Sequence, residues 1–483
     1  MATSLEAEQV KQRRWRLRPQ FAHVPWFERL IVREFLPPET QAAQQAQALQ
    51  DMVRFAVRRV PHYRDLFNRL GLTPEEIRQP SDLACLPPLT RRQVRELGPA
   101  LQARKLPPGQ SRGSPTRTSG TTGEPVVVEH TQRSHFMFTL LKQREHRWAD
   151  LDPSWVAAAI YSPRDLPPLP DGSLAHGGVT CRLPGWTHVG AFFVTGPFVG
   201  FDCSCAVPLQ LAWLEKHRPN YLMSMSANLE QLALAFQDRS PPDYLRAVKA
   251  AAQQLTPSMR RTIETILQVP VQNNYGFNEI GLVACQCAEG GRFHVHAEHC
   301  VVEIVDSDGR PCRPGEFGRV LVTGLSNPAM PLLRYEPDDL AMALEGPCPC
   351  GRTLPSFGTI QGRYRRTAFL PPGVWRHWVA IQRALGDMPP QLLRPLRQYQ
   401  VHHHQDGRFV LRVALSEPLA PEFRTRIQAA WQEADQEIAF PLEIIEVEEI
   451  PFQSGVKYLS FTSDLVPPPD WDPPPGSAQT AED

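Results

Sequence analysis

Four stretches of this chain carry side chains whose types and spacing could do chemistry. In Thr118-Ser119-Gly120-Thr121-Thr122-Gly123, hydroxyl side chains and glycines fill all six positions. Glycine lets backbone N–H groups turn toward a ligand, and hydroxyls add donors and acceptors of their own. Such a loop suits phosphate oxygens. It is not a Walker loop: no G-x-x-x-x-G-K-[ST] stands here, and Val126-Val127-Val128 reads as a strand where a helix would follow. On composition alone a flexible Ser/Thr/Gly turn reads equally well. The second stretch is Tyr275-Gly276-Phe277-Asn278-Glu279, and the third is Lys457 in Phe452-Gln453-Ser454-Gly455-Val456-Lys457. Taken singly, these are a buried tyrosine, a capping asparagine, a surface carboxylate and a solubilising lysine. The fourth is a set of C-x-C pairs, Cys203/Cys205, Cys285/Cys287 and Cys348/Cys350. Ten cysteines in 483 residues are not a disulfide framework of the kind found in short secreted domains.

The elements that must position these residues alternate between helix and strand. Leu49, Met52, Val53, Ala56 and Val60 have helical spacing, and Thr73 and Thr90 each open a capping-box pattern. Met137, Leu140, Leu141 and Trp148 mark another helix, while Val156–Ile160 and Tyr221–Met223 read as buried strands. The alternation argues an α/β fold. Val301–Val305, the turn Ser307-Asp308-Gly309 and Gly318–Thr323 read as a hairpin in an antiparallel sheet. Beyond Gly362-Arg363, a helix from about Trp378, a strand Phe409–Ala414, a helix Pro421–Ile438 and a strand Leu442–Val447 make a small α+β domain. The expected divisions are an N-terminal extension 1–40, a large domain 41–362, a small domain 363–465 and a Pro-rich, disordered tail 466–483.

Composition narrows the function classes. The net charge is zero, which offers nothing to nucleic acid, and 42% hydrophobic content supports a real core. No apolar run approaches the ~20 residues that span a bilayer. Lys11, Arg13, Arg14 and Arg16 precede no apolar segment, so the N-terminus does not read as a secretory signal and the cytoplasm is the expected location.

In their order along the chain, these motifs resemble the adenylate-forming superfamily in its phenylacetate–CoA ligase-like branch. The likeness runs from Gln44 to Leu465: the loop Thr118–Gly123, then Tyr275–Glu279, Arg334-Tyr335 with Asp338-Asp339-Leu340, Gly362-Arg363, and Lys457. Val60-Pro61-His62-Tyr63-Arg64 and Leu86-Pro87-Pro88-Leu89-Thr90 resemble the same branch. The resemblance implies a large adenylate-forming domain with an antiparallel β subdomain and a small mobile C-terminal domain. It implies ATP-dependent activation of an acyl or aryl acid, release of pyrophosphate, and transfer to a thiol, with coenzyme A as the expected acceptor. The alternatives are transfer to a carrier-protein thiol, an amine or a hydroxyl, and a ligase-like nucleotide-binding protein with impaired catalysis.

Carried over residue by residue, the resemblance puts the β- and γ-phosphates in Thr118–Gly123 and magnesium on Glu279, a carboxylate suited to a hard cation. It stacks adenine on Tyr275 beside Gly276 and places Asn278 by the α-phosphate. Asp339 would accept from the ribose hydroxyls, with Arg363 as a second ribose or phosphate contact. Lys457 would bridge the acid carboxylate and the α-phosphate as charge develops there. Cys287, His294, Cys348 and Cys350 match positions where some relatives bind a structural zinc, with Cys285 or His296 as substitutes. Phe192, Phe193 and Phe198 are candidates for an apolar acid pocket. The chain also departs from the pattern. Glu124 stands where relatives carry lysine, Val456 where they carry glycine, and Ala251-Ala252-Gln253 where they carry a small-Gly-Glu step. After Gly362-Arg363 an acidic pivot is replaced by Tyr364-Arg365-Arg366; a guanidinium only donates, so adenylation is expected to outpace thioester formation.

Overall fold

The computed structural model describes residues 4–21, 26–117, 126–237, 239–306, 308–363, 374–393, 395–415, 417–434, 440–448, 450 and 461–465. The loop Thr118–Gly123 with Glu124, the pivot 364–373 and Lys457 lie outside the described residues.

A mixed sheet of fourteen strands forms the large part of the molecule. Its parallel half runs in the order Phe198–Asp202, Ala157–Tyr161, Tyr221–Met225, Ala247–Ala251, Val271–Phe277. The central strand Ala157–Tyr161 has no polar residue before its final tyrosine, as a strand covered on both faces requires. Leu211, Leu229, Leu232 and Ile263, on three helices that follow the central strands, pack under Ile160, Leu222 and Val248. The long helix Gln132–Trp148, capped by the Thr131 side chain, covers the other face through Leu140. At Val271–Phe277 the sheet changes sense, because the next strand, Gly281–Gln286, returns antiparallel. The predicted hairpin is present: Cys300–Val305 pairs antiparallel with Phe317–Gly324. The run Val126–Val128 contributes a strand of two residues, Val127–Val128.

Residues 4–13 and 26–33 form helices that pack on helix Gln132–Trp148, so the extension joins the core on that side. Trp15 and Phe27 are buried against Phe193 with ring centroids 5.5 and 4.5 Å apart. Phe193 and Phe198 are thus buried in this core, and Phe192 packs against it with its ring 4.6 Å from Phe21. A buried cluster of three carboxylates and three guanidiniums, Glu8, Glu34, Glu298 with Arg144, Arg147, Arg352, clamps the extension in place.

A second sheet, Leu442–Val447, Phe409–Leu415, Leu396–His403, Phe461–Ser463 in spatial order, carries the helices Val374–Asp387 and Pro421–Glu433 on its own core. Two of its strands follow the sequence pattern closely, and two, Leu396–His403 and Phe461–Ser463, had none. Among the described residues no helix is long and apolar enough to cross a membrane.

Candidate active site

The turn Tyr275–Glu279 lies at the C-terminal end of the last parallel strand, where open α/β sheets bind ligands. Gly276 lies opposite Leu282 in the returning strand, and a Cβ on it would come within 2.4 Å of the Gly281 carbonyl. Only glycine permits that close return, which projects Asn278 and Glu279 from the sheet.

The stems of the loop Thr118–Gly123 meet this turn. Thr116–Arg117 pairs antiparallel with Val127–Val128. The Thr116 hydroxyl donates to the Asn278 carbonyl at 3.0 Å, and the Asn278 amide donates to the Arg117 carbonyl at 3.0 Å. Thr116 Oγ1 also lies 2.8 Å from His130 Nε2. Its proton being given to Asn278, the imidazole must be the donor there. Burial, then His135 and His299, pull His130 down to about 4, so at neutral pH the ring is neutral with its proton on Nε2.

Glu279 is 3% exposed and is gripped from two sides. The Tyr335 hydroxyl donates to its Oε1 at 2.8 Å, and Arg91 Nη1 lies 3.3 Å from the same atom. Both partners come from one strand pair, since Leu89–Thr90 runs parallel to Tyr335–Glu336 and Thr90 caps the helix that begins at Arg91. Tyr275 donates to Asp339 Oδ2 at 2.8 Å. Asp339 in turn lies directly opposite Arg363 across an antiparallel pair. Tyr275, Asn278, Glu279, Asp339 and the Arg363 backbone are thus brought together, with both ends of the hydroxyl-glycine loop beside them.

Pattern reading missed Arg91, Thr116 and His130, and gave Tyr335 no role. The capping box at Thr90 is the one signal that could have placed Arg91, because a cap fixes the direction of the first helical turn. The upstream motifs are scaffolding. Tyr63 donates to the Pro331 carbonyl at 3.0 Å and accepts from Leu333 N–H at 3.0 Å. Arg334 is buried, pairs with Glu303 at 3.0 Å and donates to the Leu86 carbonyl at 2.5 Å. In the altered step Ala251-Ala252-Gln253, Ala252 has φ +60, a left-handed conformation that a side chain disfavours. Gln253 Oε1 accepts from Ala227 N–H at 3.3 Å, at the start of helix Ser226–Ala235.

Cys287, His294, Cys348 and Cys350 also converge, all four buried, with donor atoms within 4.8 Å of one another. Cys287 Sγ and Cys348 Sγ are 3.9 Å apart, and Cys350 Sγ lies 3.3 Å from His294 Nε2. A tetrahedron with Zn–S bonds of about 2.3 Å has an S–S edge of ~3.8 Å. His294 Nδ1 faces the Leu354 carbonyl at 3.4 Å, which orients Nε2 inward. A Cβ on Gly290 would lie 2.4 Å from Cys348 Sγ, so that corner accepts only glycine. Cys285 and His296 pair with each other at 3.5 Å and stand outside the group.

Comparison with known proteins agrees with this geometry. The family model for AMP-binding enzymes matches residues 117–328. The chain is 30% identical over 339 residues to a phenylacetate-coenzyme A ligase of Thermus thermophilus, covering 68% of this chain and 72% of that one. It is 30% identical over 341 residues to the phenylacetate-coenzyme A ligase of Escherichia coli, covering 68% and 73%. Among solved structures it resembles a 2-hydroxyisobutyryl-CoA ligase in the postadenylation state, with a TM-score of 0.71 at 17% identity over 89% of this chain and 91% of that one. Against the same ligase in the thioesterification state the TM-score is 0.58, also at 17% identity.

Proposed function

The chain belongs to the phenylacetate–coenzyme A ligase family of AMP-forming enzymes, and from that premise we propose that it activates a carboxylic acid with ATP and passes the acyl group to coenzyme A. The acid carboxylate displaces pyrophosphate from the α-phosphate; the CoA thiol then displaces AMP, giving a thioester and releasing a proton. The observation that carries this reading is the meeting of Tyr275, Asn278, Glu279 and Asp339 with the two stems of the Thr118–Gly123 loop.

Each residue has work that its environment supports. Thr118, Ser119, Gly120, Thr121, Thr122 and Gly123 supply donors to the β- and γ-phosphates, and the Thr116–Asn278 bonds hold the loop's root. Tyr275, its hydroxyl held by Asp339, presents its ring to adenine, while Asp339 and Arg363 take the ribose. Magnesium, when bound, would draw charge off the departing pyrophosphate. Both contacts to Glu279 fall on Oε1, so a cation would use Oε2, and Arg91 and Tyr335 would fix the carboxylate for it. Lys457, delivered by the small domain 363–465, neutralises charge between the acid and the α-phosphate. Cys287, His294, Cys348 and Cys350 hold a structural zinc that ties the Cys348–Cys350 loop to the sheet, away from the chemistry.

The test is ATP-dependent pyrophosphate release across a panel of carboxylic acids, followed by thioester formation on adding CoA. Lys457→Ala is expected to abolish release while leaving the melting temperature unchanged. Release at the wild-type rate in that variant would remove Lys457 from the chemistry, and no release with any acid would overturn the function.

A further inference from the structure

Beneath the nucleotide residues lies a charged cluster that the chemistry above does not use. Strand Ala247–Ala251 turns Val248 and Ala250 into the apolar core. Its middle residue Lys249, 1% exposed, faces the other way, toward helix Gln132–Trp148. There it meets Glu145 Oε1, while Lys142 Nζ lies 2.9 Å from Glu145 Oε2. The next strand adds Asn274, whose amide donates to Glu145 Oε1 at 2.9 Å. Asn274 immediately precedes Tyr275, so the cluster is one residue from the nucleotide turn.

The helix draws a line from this cluster to the reacting centre. Lys142 lies 5.8 Å from the ring of Phe138, one turn nearer the Thr131 cap. A Cβ on Gly281 would lie 3.5 Å from the Phe138 ring, and Gly281 pairs with Phe277 in the nucleotide turn. An acid whose carboxylate reacts beside Asn278 and Glu279 would therefore run its far end along Phe138 toward Lys142 and Lys249.

At that far end two lysine amines share one carboxylate, and the neighbouring titratable groups add no second anion. His188 is pulled down to about 4 by burial and then by Lys142 and Lys249, so it is neutral. His146 is likewise neutral, and burial pushes the Cys285 thiol up. Glu34 and Glu298 are spent on Arg144. Burial, and then Lys142, pull Lys249 down to about 7 despite Glu145, so its amine is close to neutral as it stands and takes up its proton where a second anion faces it.

We propose that Lys142 and Lys249 form an anion subsite, so that the acid this chain activates carries a second anionic group, a carboxylate or similar oxyanion, at its far end. This rests on the acid-activating function proposed above. The test measures pyrophosphate release with matched pairs: 4-carboxyphenylacetate, glutarate, adipate and pimelate, each against its monomethyl ester. At least one diacid is expected to exceed its ester in kcat/KM by about tenfold or more, the worth of a buried charge-assisted hydrogen bond. Lys249→Met should collapse that ratio. It should not lower the melting temperature, because it leaves one Lys142–Glu145 pair in balance.

Esters used as well as or better than their diacids would overturn the subsite. So would a Lys249→Met chain that melts several degrees lower with its diacid preference intact, since that is a structural lysine. Absence of release with every diacid also overturns it, and calorimetry with ATP then separates the two readings. Bound nucleotide leaves the acid-activating function standing, and no bound nucleotide removes both.

Discussion

Replacing Glu34 by glutamine should cost the fold about 3–5 kcal/mol, the penalty for breaking a buried ion pair from one side. Glu34 is fully buried and takes Arg144 Nε at 3.0 Å, Arg147, Arg352 Nε at 3.3 Å and the Trp148 indole at 2.8 Å. Glutamine keeps one acceptor oxygen, turns N–H donors toward guanidiniums and leaves the cluster one positive charge in excess. At about 1.4 kcal/mol per decade, the unfolding equilibrium shifts by roughly two to four powers of ten. Urea unfolding followed by tryptophan fluorescence at neutral pH measures it. The double variant Glu34→Gln with Arg352→Met restores charge balance, leaving Glu8 with Arg147 and Glu298 with Arg144, and should recover at least half the loss. The pH dependence supplies a second arm. Burial alone would raise the Glu34 pKa, but Arg147, Arg144, Arg352 and Trp148 together hold it below its ordinary value. A depressed carboxylate contributes stability that is complete above its unfolded value and lost as pH falls, so wild type should weaken on acidification more steeply than Glu34→Gln. A single-variant change under about 1 kcal/mol would refute the cluster as the clamp on the N-terminal helices.

Three further outcomes are expected. Ala252→Gly relieves a left-handed alanine at φ +60 and should stabilise the chain by about 0.5–1 kcal/mol in the same urea assay; a loss of stability would contradict the strain. Elemental analysis of purified protein should find about one zinc per chain, lost in Cys348→Ser with a lower melting temperature but with pyrophosphate release retained below the transition; metal-free wild type of equal stability would contradict this. Glu230, on helix Ser226–Ala235, lines a cavity with Leu396 and Tyr399 of the second sheet, and burial raises it to about 8. A carboxyl raised by docking is neutral in the docked arrangement and ionised when solvated, so docking should weaken as pH climbs from the ordinary glutamate range toward 8 and level off above it. Small-angle scattering should show wild type expanding between pH 6 and pH 9 and Glu230→Gln unchanged; equal behaviour of the two would remove Glu230 from the interface.

Much of this protein could be read without coordinates because the signals are local. The strand Leu442–Val447 and the hairpin Cys300–Val305 with Phe317–Gly324 follow from short-range alternation and turn chemistry, and both are present. The cap at Thr90 rests on contacts three residues apart. The order of motifs was enough to indicate the family, because phosphate, ribose and cation each demand particular side-chain chemistry.

Tertiary structure decided what depends on distant residues sharing a face or an atom. Arg91 reaches Glu279 across 188 positions only because Leu89–Thr90 pairs with Tyr335–Glu336. Glu8, Arg147 and Arg352 are ordinary surface residue types in sequence, and only packing removes water and makes their pairing obligatory. Which of two adjacent C-x-C cysteines joins His294 is decided by packing and not by register, which sets Cys285 opposite His294: the Cys285 thiol turns to His296, and Cys287 lies with Cys348 and Cys350. Lys142 and Lys249 are 107 positions apart, and neither carries a sequence signal. Their meeting over Glu145 is a matter of which face of a strand a helix covers. Periodicity marks a buried face; it does not say what else lies against it.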